Sequence, residues 1–244
     1  APELYVPPAY KFQIRPTFAQ VQTRLQDFLL HLQRGELWLS VDIETVARNM
    51  SCIGLAWNAR EALCIPMLTL VGNYWQVEEE VQIQLWLKEI LTHRNVRVIG
   101  QNFNYDAQYF ARFLGYLPRL AFDTMIAQHT LFPGLPKALD FLSSIYCHWH
   151  RYWKDELNDY SRLPTNLDQY WSYNCKDCVT TFEITRPLQN MLEYYERTEQ
   201  YELLHQTGQN ALVSMLRGMR IDRVARSAIA EELMQTIAEY ERLI

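Results

Sequence analysis

The sequence predicts an α/β fold: a mixed five-stranded sheet flanked by helices, with a C-terminal helical extension. Three observations carry this expectation. Three strand-like runs come first, joined by short connections; a short run at residues 96–99, apolar but for one position, lies between two helical segments; and from Thr124 onward every periodic segment is helical. Strands alternating with helices in this order build a layered sheet-and-helix domain.

Residues 1–16 are rich in proline and aromatics (Pro2, Pro7, Pro8, Pro16) and read as an extended arm. Thr17 is placed to cap a helix in which Val21, Leu25, Phe28, Leu29 and Leu32 recur at helical spacing. Residues 37–43, 53–57 and 62–65 read as three buried strands, and their two short connections predict an antiparallel meander. Residues 77–91 carry apolar side chains at 77, 81, 85 and 90 with charges between, the pattern of an amphipathic helix. Residues 96–99, apolar but for Arg97, read as a central strand. A helix is expected over 103–114 and a further strand over 120–122. After about residue 188 the pattern changes to a long helix reaching Leu216, a turn over 218–222 and another helix. The expected organisation is therefore an arm and helix (1–35), an α/β domain (36–187) and a helical segment (188–244).

At 244 residues the chain can bury a full core, and 49% hydrophobic with 21% charged residues is ordinary globular composition. No apolar run approaches the roughly 20 residues needed to span a bilayer; residues 54–70 are interrupted by Asn58, Arg60, Glu61 and Pro66. No membrane partner and no secretory leader are expected. The first residue is Ala and the last segment still reads as helix, so the chain is expected to be a piece of a longer protein. Five cysteines, an odd number in a chain too large to need staples, point to a reducing compartment such as the cytoplasm. The net charge of −5, from 23 basic and 28 acidic residues, lacks the basic footprint usual in a nucleic-acid binder. Cations held by a cluster of acids would reverse that local sign.

Asp42 and Glu44 end the first strand. Residues i and i+2 of a strand share a face, so both carboxylates project together after the buried run Leu37-Trp38-Leu39-Ser40-Val41. Two carboxylates ~4 Å apart repel by roughly 4 kcal/mol at an effective dielectric near 20. Alone, the pair is better explained by a turn cap at Asp42 and a solvent-facing Glu44. Gly100-Gln101-Asn102-Phe103-Asn104-Tyr105-Asp106 follows the strand at 96–99 directly. Asn102 is placed as a helix N-cap, and Asp106, four residues on, shares its face near the positive end of the helix dipole. Tyr173-Asn174-Cys175-Lys176-Asp177 sets Tyr and Asp at i and i+4 beside Val179, Phe182 and Ile184, where an acid needs a partner.

Converged, four such carboxylates could not all stay ionised without cations. Oxygen-only ligands select hard ions, Mg²⁺ or Mn²⁺, over zinc. Two such ions suit in-line phosphodiester hydrolysis, one assisting the attacking water and both stabilising the leaving oxygen.

VDIET (residues 41–45), GQNFNYD (100–106) and YNCKD (173–177) resemble the three exonuclease motifs of the DEDD superfamily. Their order and spacing are similar to the proofreading domain of family-A DNA polymerases, including those of phage type, over about residues 36–187. Tyr173 stands four residues before Asp177, and Ser172 occupies the place where the histidine subclass has its His, so the motif resembles the tyrosine (DEDDy) subclass. The resemblance implies a ribonuclease-H-like fold, two divalent ions (Mg²⁺ or Mn²⁺), and hydrolysis of the terminal phosphodiester of single-stranded DNA, releasing 5′-mononucleotides. It implies that Asp42, Glu44 and Asp177 hold the first ion, that Asp42 bridges to the second, and that Asp106 reaches the second through water. Tyr173, with Glu44, would orient the attacking water by hydrogen bonding, not as a strong base, since a phenol's reference pKa is near 10. Thr45, Gln101 and Asn102 match positions that contact the terminal nucleotide. Lys154 lies in a Tyr-x-Lys-Asp segment similar to one in phage-type relatives and is expected at the substrate. Asp123, in FDTMIAQHTLFP, matches a further acidic position of these domains, expected to be structural or to support the ligands, not to be catalytic.

One departure is the short TVARNMS stretch after Glu44, which lacks the leucine wedge of relatives; Val46 and Met50 are the candidate substitutes. The tail LVSMLRGMRIDRVA resembles the junction between exonuclease and polymerase domains in family-A polymerases. The implied partners are thus a single-stranded DNA 3′ end and a polymerase domain of the same parent protein. No polymerase catalytic motifs follow, so no polymerisation is expected.

Other candidates carry less. Cys147-His148-Trp149-His150 has no second ligand cluster near it in sequence, and zinc needs four ligands. Cys175 and Cys178 form a C-x-x-C on a helix, where core packing is expected. Arg151, Tyr152, Trp153 and Lys154 read either as a surface loop or as a base-stacking and phosphate-contacting segment. Two rival functions remain open at this point: RNA 3′-end trimming of the ribonuclease-D type, and nucleic-acid binding by a vestigial site.

Overall fold

The antiparallel meander expected from the sequence is the spine of the sheet. It comprises β2 (Leu37–Val46), β3 (Asn49–Ala56) and β4 (Glu61–Pro66). The computed structural model describes residues 9–148, 153–156 and 162–243. On the β2 side, β7 (Val96–Gly100) pairs parallel to β2, and β8 (Leu120–Asp123) pairs parallel to β7. Among the described residues the sheet has six strands, not five. The sixth, β1 (Lys11–Gln13), comes from the expected arm and pairs parallel to β4. An exposed strand edge offers unpaired N–H and C=O groups, and this piece of the arm satisfies those of β4. A small ribbon, β5 (Leu68–Thr69) with β6 (Gly72–Asn73), follows the meander.

Each face of the sheet has its own core. On one face Leu37, Leu39, Val41 and Ile43 of β2 pack with α1 (Phe18–Arg34), α2 (Val77–Thr92) and α3 (Asn104–Tyr109). Thr17 does cap α1, in a capping box with Gln20. On the other face Cys52, Cys64 and Ile99 pack with α4 (Thr124–Leu131), α5 (Leu139–Tyr146) and α6 (Leu167–Tyr194). Cys175 and Cys178 are buried, free and part of this second core. α7 (Thr198–Arg217) seals the end of the sheet through Tyr201 and Leu212. Gly218, at φ 68, then turns the chain, and Asp222 caps α8 (Arg223–Glu241). That helix buries none of its side chains. Among the described residues, no helix is long and apolar enough to cross a membrane.

Several local expectations are corrected. The helix expected over 103–114 divides into α3 and a π-helical turn at Phe110–Leu114. Asn102 is not the side-chain cap of α3: Phe103 holds the N-cap position, and Asn102 sits in left-handed geometry at φ 54. Residue 188 lies inside α6, which carries Pro187 in its interior. The first break in the helical tail comes between α6 and α7, where Glu196 adopts φ 54.

Candidate active site

Asp42 and Glu44 lie on the face of β2 that α6 covers. Their approach to α6 depends on Gly54, which pairs with Asp42 across the β2–β3 ladder. A Cβ on Gly54 would come within 2.3 Å of Asn174 Oδ1 and 2.5 Å of Cys178 Sγ. The missing side chain therefore lets α6 seat directly on the strand. Asn174 then donates from Nδ2 to Asp42 Oδ2 at 2.8 Å and to the Asp42 carbonyl at 3.3 Å. Three residues on, Asp177 joins the group, and ligand oxygens of Asp42, Glu44 and Asp177 all lie within 4.8 Å of one another.

Asp106 arrives from α3 on the other side of β2. Its Oδ1 accepts the Ile43 N–H at 2.9 Å, and it stands outside the three-acid group. Tyr173 is one helical turn before Asp177 on α6 and is 3% exposed. Both oxygens of Asp177 accept hydrogen bonds: Oδ1 from Trp153 Nε1 at 2.6 Å, and Oδ2 from Lys154 Nζ at 2.6 Å. Lys154 Nζ also donates to the Tyr173 hydroxyl at 2.9 Å.

Electrostatics follow from this crowding. Burial, then the neighbouring Asp177, pushes Asp42 up to about 8. Burial, with Asp42 and Asp177 beside it, holds Glu44 well above the usual carboxylate range. Burial and the Asp42 charge do the same to Asp106. Asp177 is also raised by burial, against the opposing pull of Lys154 and the Trp153 hydrogen bond. For Lys154, burial disfavours the charge, but the carboxylates around it, Asp177 foremost, leave its pKa above the ordinary lysine value. Close, buried, oxygen-only ligands that hold protons unless a positive charge arrives are the donor set of a hard divalent cation. The residues fit such ions.

The group opens into a cleft of about 560 Å³ lined by Asp42, Gln101, Asn102, Lys154, Tyr173 and Asp177. Gln101 has its amide engaged within the protein, donating to the Lys137 carbonyl at 2.7 Å and accepting from Thr124 Oγ1. The Asn102 side chain is exposed, while its backbone N–H is held by Asp123 Oδ1 at 3.2 Å. Thr45 Oγ1 shares a hydrogen bond with Tyr105 Oη at 2.7 Å. Asp123 accepts from the N–H groups of Asn102, Phe103, Met125 and Ile126, which is a structural role. Met50 is buried in the core, so it is not a wedge, and Val46 packs against the second core.

A model of a 3′–5′ exonuclease family matches residues 16–193. The chain belongs to this family. Its match spans all three acidic motifs. Solved structures with the same fold include Brucella melitensis NrnC bound to pGG, at TM-score 0.61 and 17% identity, covering 77% of this chain and 89% of that one. Escherichia coli RNase D aligns at TM-score 0.60 and 16% identity, covering 85% of this chain and 51% of that one. The catalytic core of RRP6 from Trypanosoma brucei aligns at TM-score 0.60 and 15% identity, covering 83% and 52%. NrnC has also been solved with bound Mg²⁺. No curated protein sequence matches the chain. Two divalent metal ions are the cofactor of DEDD exonucleases, and the acid group of this one suits them.

Sequence reasoning missed three contributors. Gly54 looks like any strand glycine until α6 is placed over it. Asn174 stands inside a quoted motif, but its tie to Asp42 crosses 132 residues. Trp153 was expected, if functional, to stack on bases; it is 5% exposed and donates to Asp177. The expectations for Trp149, His150, Arg151 and Tyr152 lie outside the described residues.

Proposed function

We propose that this chain removes nucleotides one at a time from the 3′ end of single-stranded DNA, releasing 5′-mononucleotides, as the proofreading domain of a DNA polymerase. The observation that carries the reading is the convergence of Asp42, Glu44 and Asp177, from two motifs far apart in sequence, with Tyr173 beside them. Asp42, Glu44 and Asp177 would hold one ion, and Asp42 with Asp106 would hold the second. When bound, the ions supply charge stabilisation for in-line displacement at phosphorus. Tyr173 and Glu44 orient the attacking water, and the phenol does so as a hydrogen-bonding group. Thr45, Gln101 and Asn102 form the terminal-nucleotide side of the site. Of these, Asn102 is the freest to contact substrate, because the amide of Gln101 is already engaged. The helical tail from α7 to α8 is the approach to a polymerase domain of the parent protein, and a reducing, DNA-containing compartment suits the five free cysteines.

A second reading, trimming of RNA 3′ ends, is favoured by the names of the structural neighbours, RNase D and RRP6. Digestion of matched 5′-labelled DNA and RNA oligonucleotides with Mg²⁺, Mn²⁺ or EDTA, beside Asp42→Ala, separates the two. The proposal expects a metal-dependent ladder shortening from the 3′ end, faster on DNA and absent in the variant. Faster cleavage of RNA would overturn the DNA assignment. A folded, metal-loaded chain that cleaves neither would leave a binding domain with a vestigial site.

A further inference from the structure

We propose that Trp153 and Lys154 are positioning residues, a two-residue clamp that fixes Asp177 and Tyr173 relative to one another. The proposal rests on the exonuclease reading and assigns the segment a part in that site.

Successive residues of one short segment take the two oxygens of one carboxylate. Trp153 Nε1 donates to Asp177 Oδ1, and Lys154 Nζ donates to Oδ2, each at 2.6 Å. The same ammonium donates to the Tyr173 hydroxyl at 2.9 Å and lies 4.7 Å from that ring's centroid. Asp177 and Tyr173 stand four apart on α6, so one cation spans both groups on a single helix face. An ionised carboxylate offers about four lone-pair sites. Two donors set its rotamer and still leave it able to ligate.

The geometry differs from that of a phosphate-contacting lysine. Two of the three ammonium N–H groups are committed to protein acceptors, and the Lys154 side chain is 24% exposed. Trp153, at 5% exposed, presents no face for a base. The clamp also places one positive charge against three converging carboxylates, so it offsets part of their mutual repulsion before any ion binds. Partners that orient metal ligands typically change affinity or activity about 10- to 100-fold when removed.

The test uses the whole chain with Lys154→Ala, Lys154→Arg and Trp153→Phe. Steady-state cleavage of a 5′-labelled DNA oligonucleotide gives kcat and KM, and melting in EDTA and in MnCl₂ gives a readout independent of turnover. For Lys154→Ala and Trp153→Phe the clamp requires kcat roughly 10- to 100-fold lower with KM nearly unchanged. Lys154→Ala should also melt several degrees lower in EDTA, with most of the loss restored by Mn²⁺, and Lys154→Arg should recover part of both effects. A KM that rises tenfold with kcat intact would instead make Lys154 a substrate contact. Unchanged kcat with unchanged melting in EDTA would remove the clamp altogether. If the wild-type chain cleaves nothing, the exonuclease reading falls, and the EDTA melting comparison still decides whether the pair holds the acid group together.

Discussion

Asp42 on β2 and Asp123 at the end of β8 are acids of one sheet, and burial raises both above the usual carboxylate range. Their company differs. Asp123 receives four backbone N–H groups, from Asn102, Phe103, Met125 and Ile126, and these satisfy it inside the protein. Asp42 has one amide donor, Asn174, and faces Glu44 and Asp177 at ligand spacing. Burial alone therefore does not mark a candidate metal ligand. The distinguishing feature is the close approach of Asp42, Glu44 and Asp177 to one another, a crowding of carboxylates that an external cation can relieve.

The sharpest way to break the comparison is to remove each acid in turn. Asp42→Ala should lower cleavage roughly 10³-fold or more, equivalent to about 4 kcal/mol of barrier, because it deletes the shared ligand. Its melting temperature in EDTA should stay level or rise, since one of three mutually repelling carboxylates is gone. A variant that cleaved normally would disprove the metal assignment. One that lost its fold in EDTA would show that Asp42 is structural after all.

Asp123→Ala should behave in the opposite way. It strips four N–H groups of their acceptor and uncaps α4, a loss of about 2–3 kcal/mol in stability. It also frees the loop at Asn102, whose left-handed φ of 54 that carboxylate holds in place. Thermal unfolding of the variant checks this: a change below about 0.5 kcal/mol, the range of an ordinary surface substitution, would refute the capping role.

The same contrast explains what could be read from the sequence. The meander, the central strand at 96–99, the helix capped by Thr17 and the three acidic motifs were legible, because each rests on local period or spacing. β1 was not: Lys11–Gln13 is a strand only because β4 offers it an edge. Nor was the full length of β2, which runs past Ile43 to a turn at Ala47 and Arg48. Both turn residues have positive φ, at 49 and 66, without the Gly or Asn that usually announces such a hairpin. Contributors that act across the fold (Gly54 under α6, Trp153 on Asp177) leave no local signal at all.

A smaller effect, in pH, tests the group as a whole. Asp42 moves from 3.8 to about 8 on folding, and Glu44, Asp106 and Asp177 move in the same direction. The folded state thus holds more protons than the unfolded state between these limits. Stability contributed by these acids is full below about pH 4 and lost as pH rises towards 8. Metal-free protein should therefore melt a few degrees lower at pH 8 than at pH 6. Bound ions require ionised ligands, so Mn²⁺ should raise the melting temperature more at pH 8 than at pH 6. A pH-independent Mn²⁺ shift would mean that the ion binds elsewhere.

Tyr173→Phe is the mildest change and sharpens the comparison most finely, because it removes one hydroxyl and no charge. The hydroxyl accepts from Lys154 Nζ at 2.9 Å. Losing it leaves the acids, their ions and the fold in place. If the phenol orients water, kcat should fall about tenfold, or about 1.4 kcal/mol, with KM and melting in EDTA nearly unchanged. If it acted as a strong base, the loss would approach that of Asp42→Ala and the pH profile would lose a limb. A tenfold effect with an unchanged pH profile would place the ionisation that matters on the carboxylates, and leave the tyrosine a geometric part.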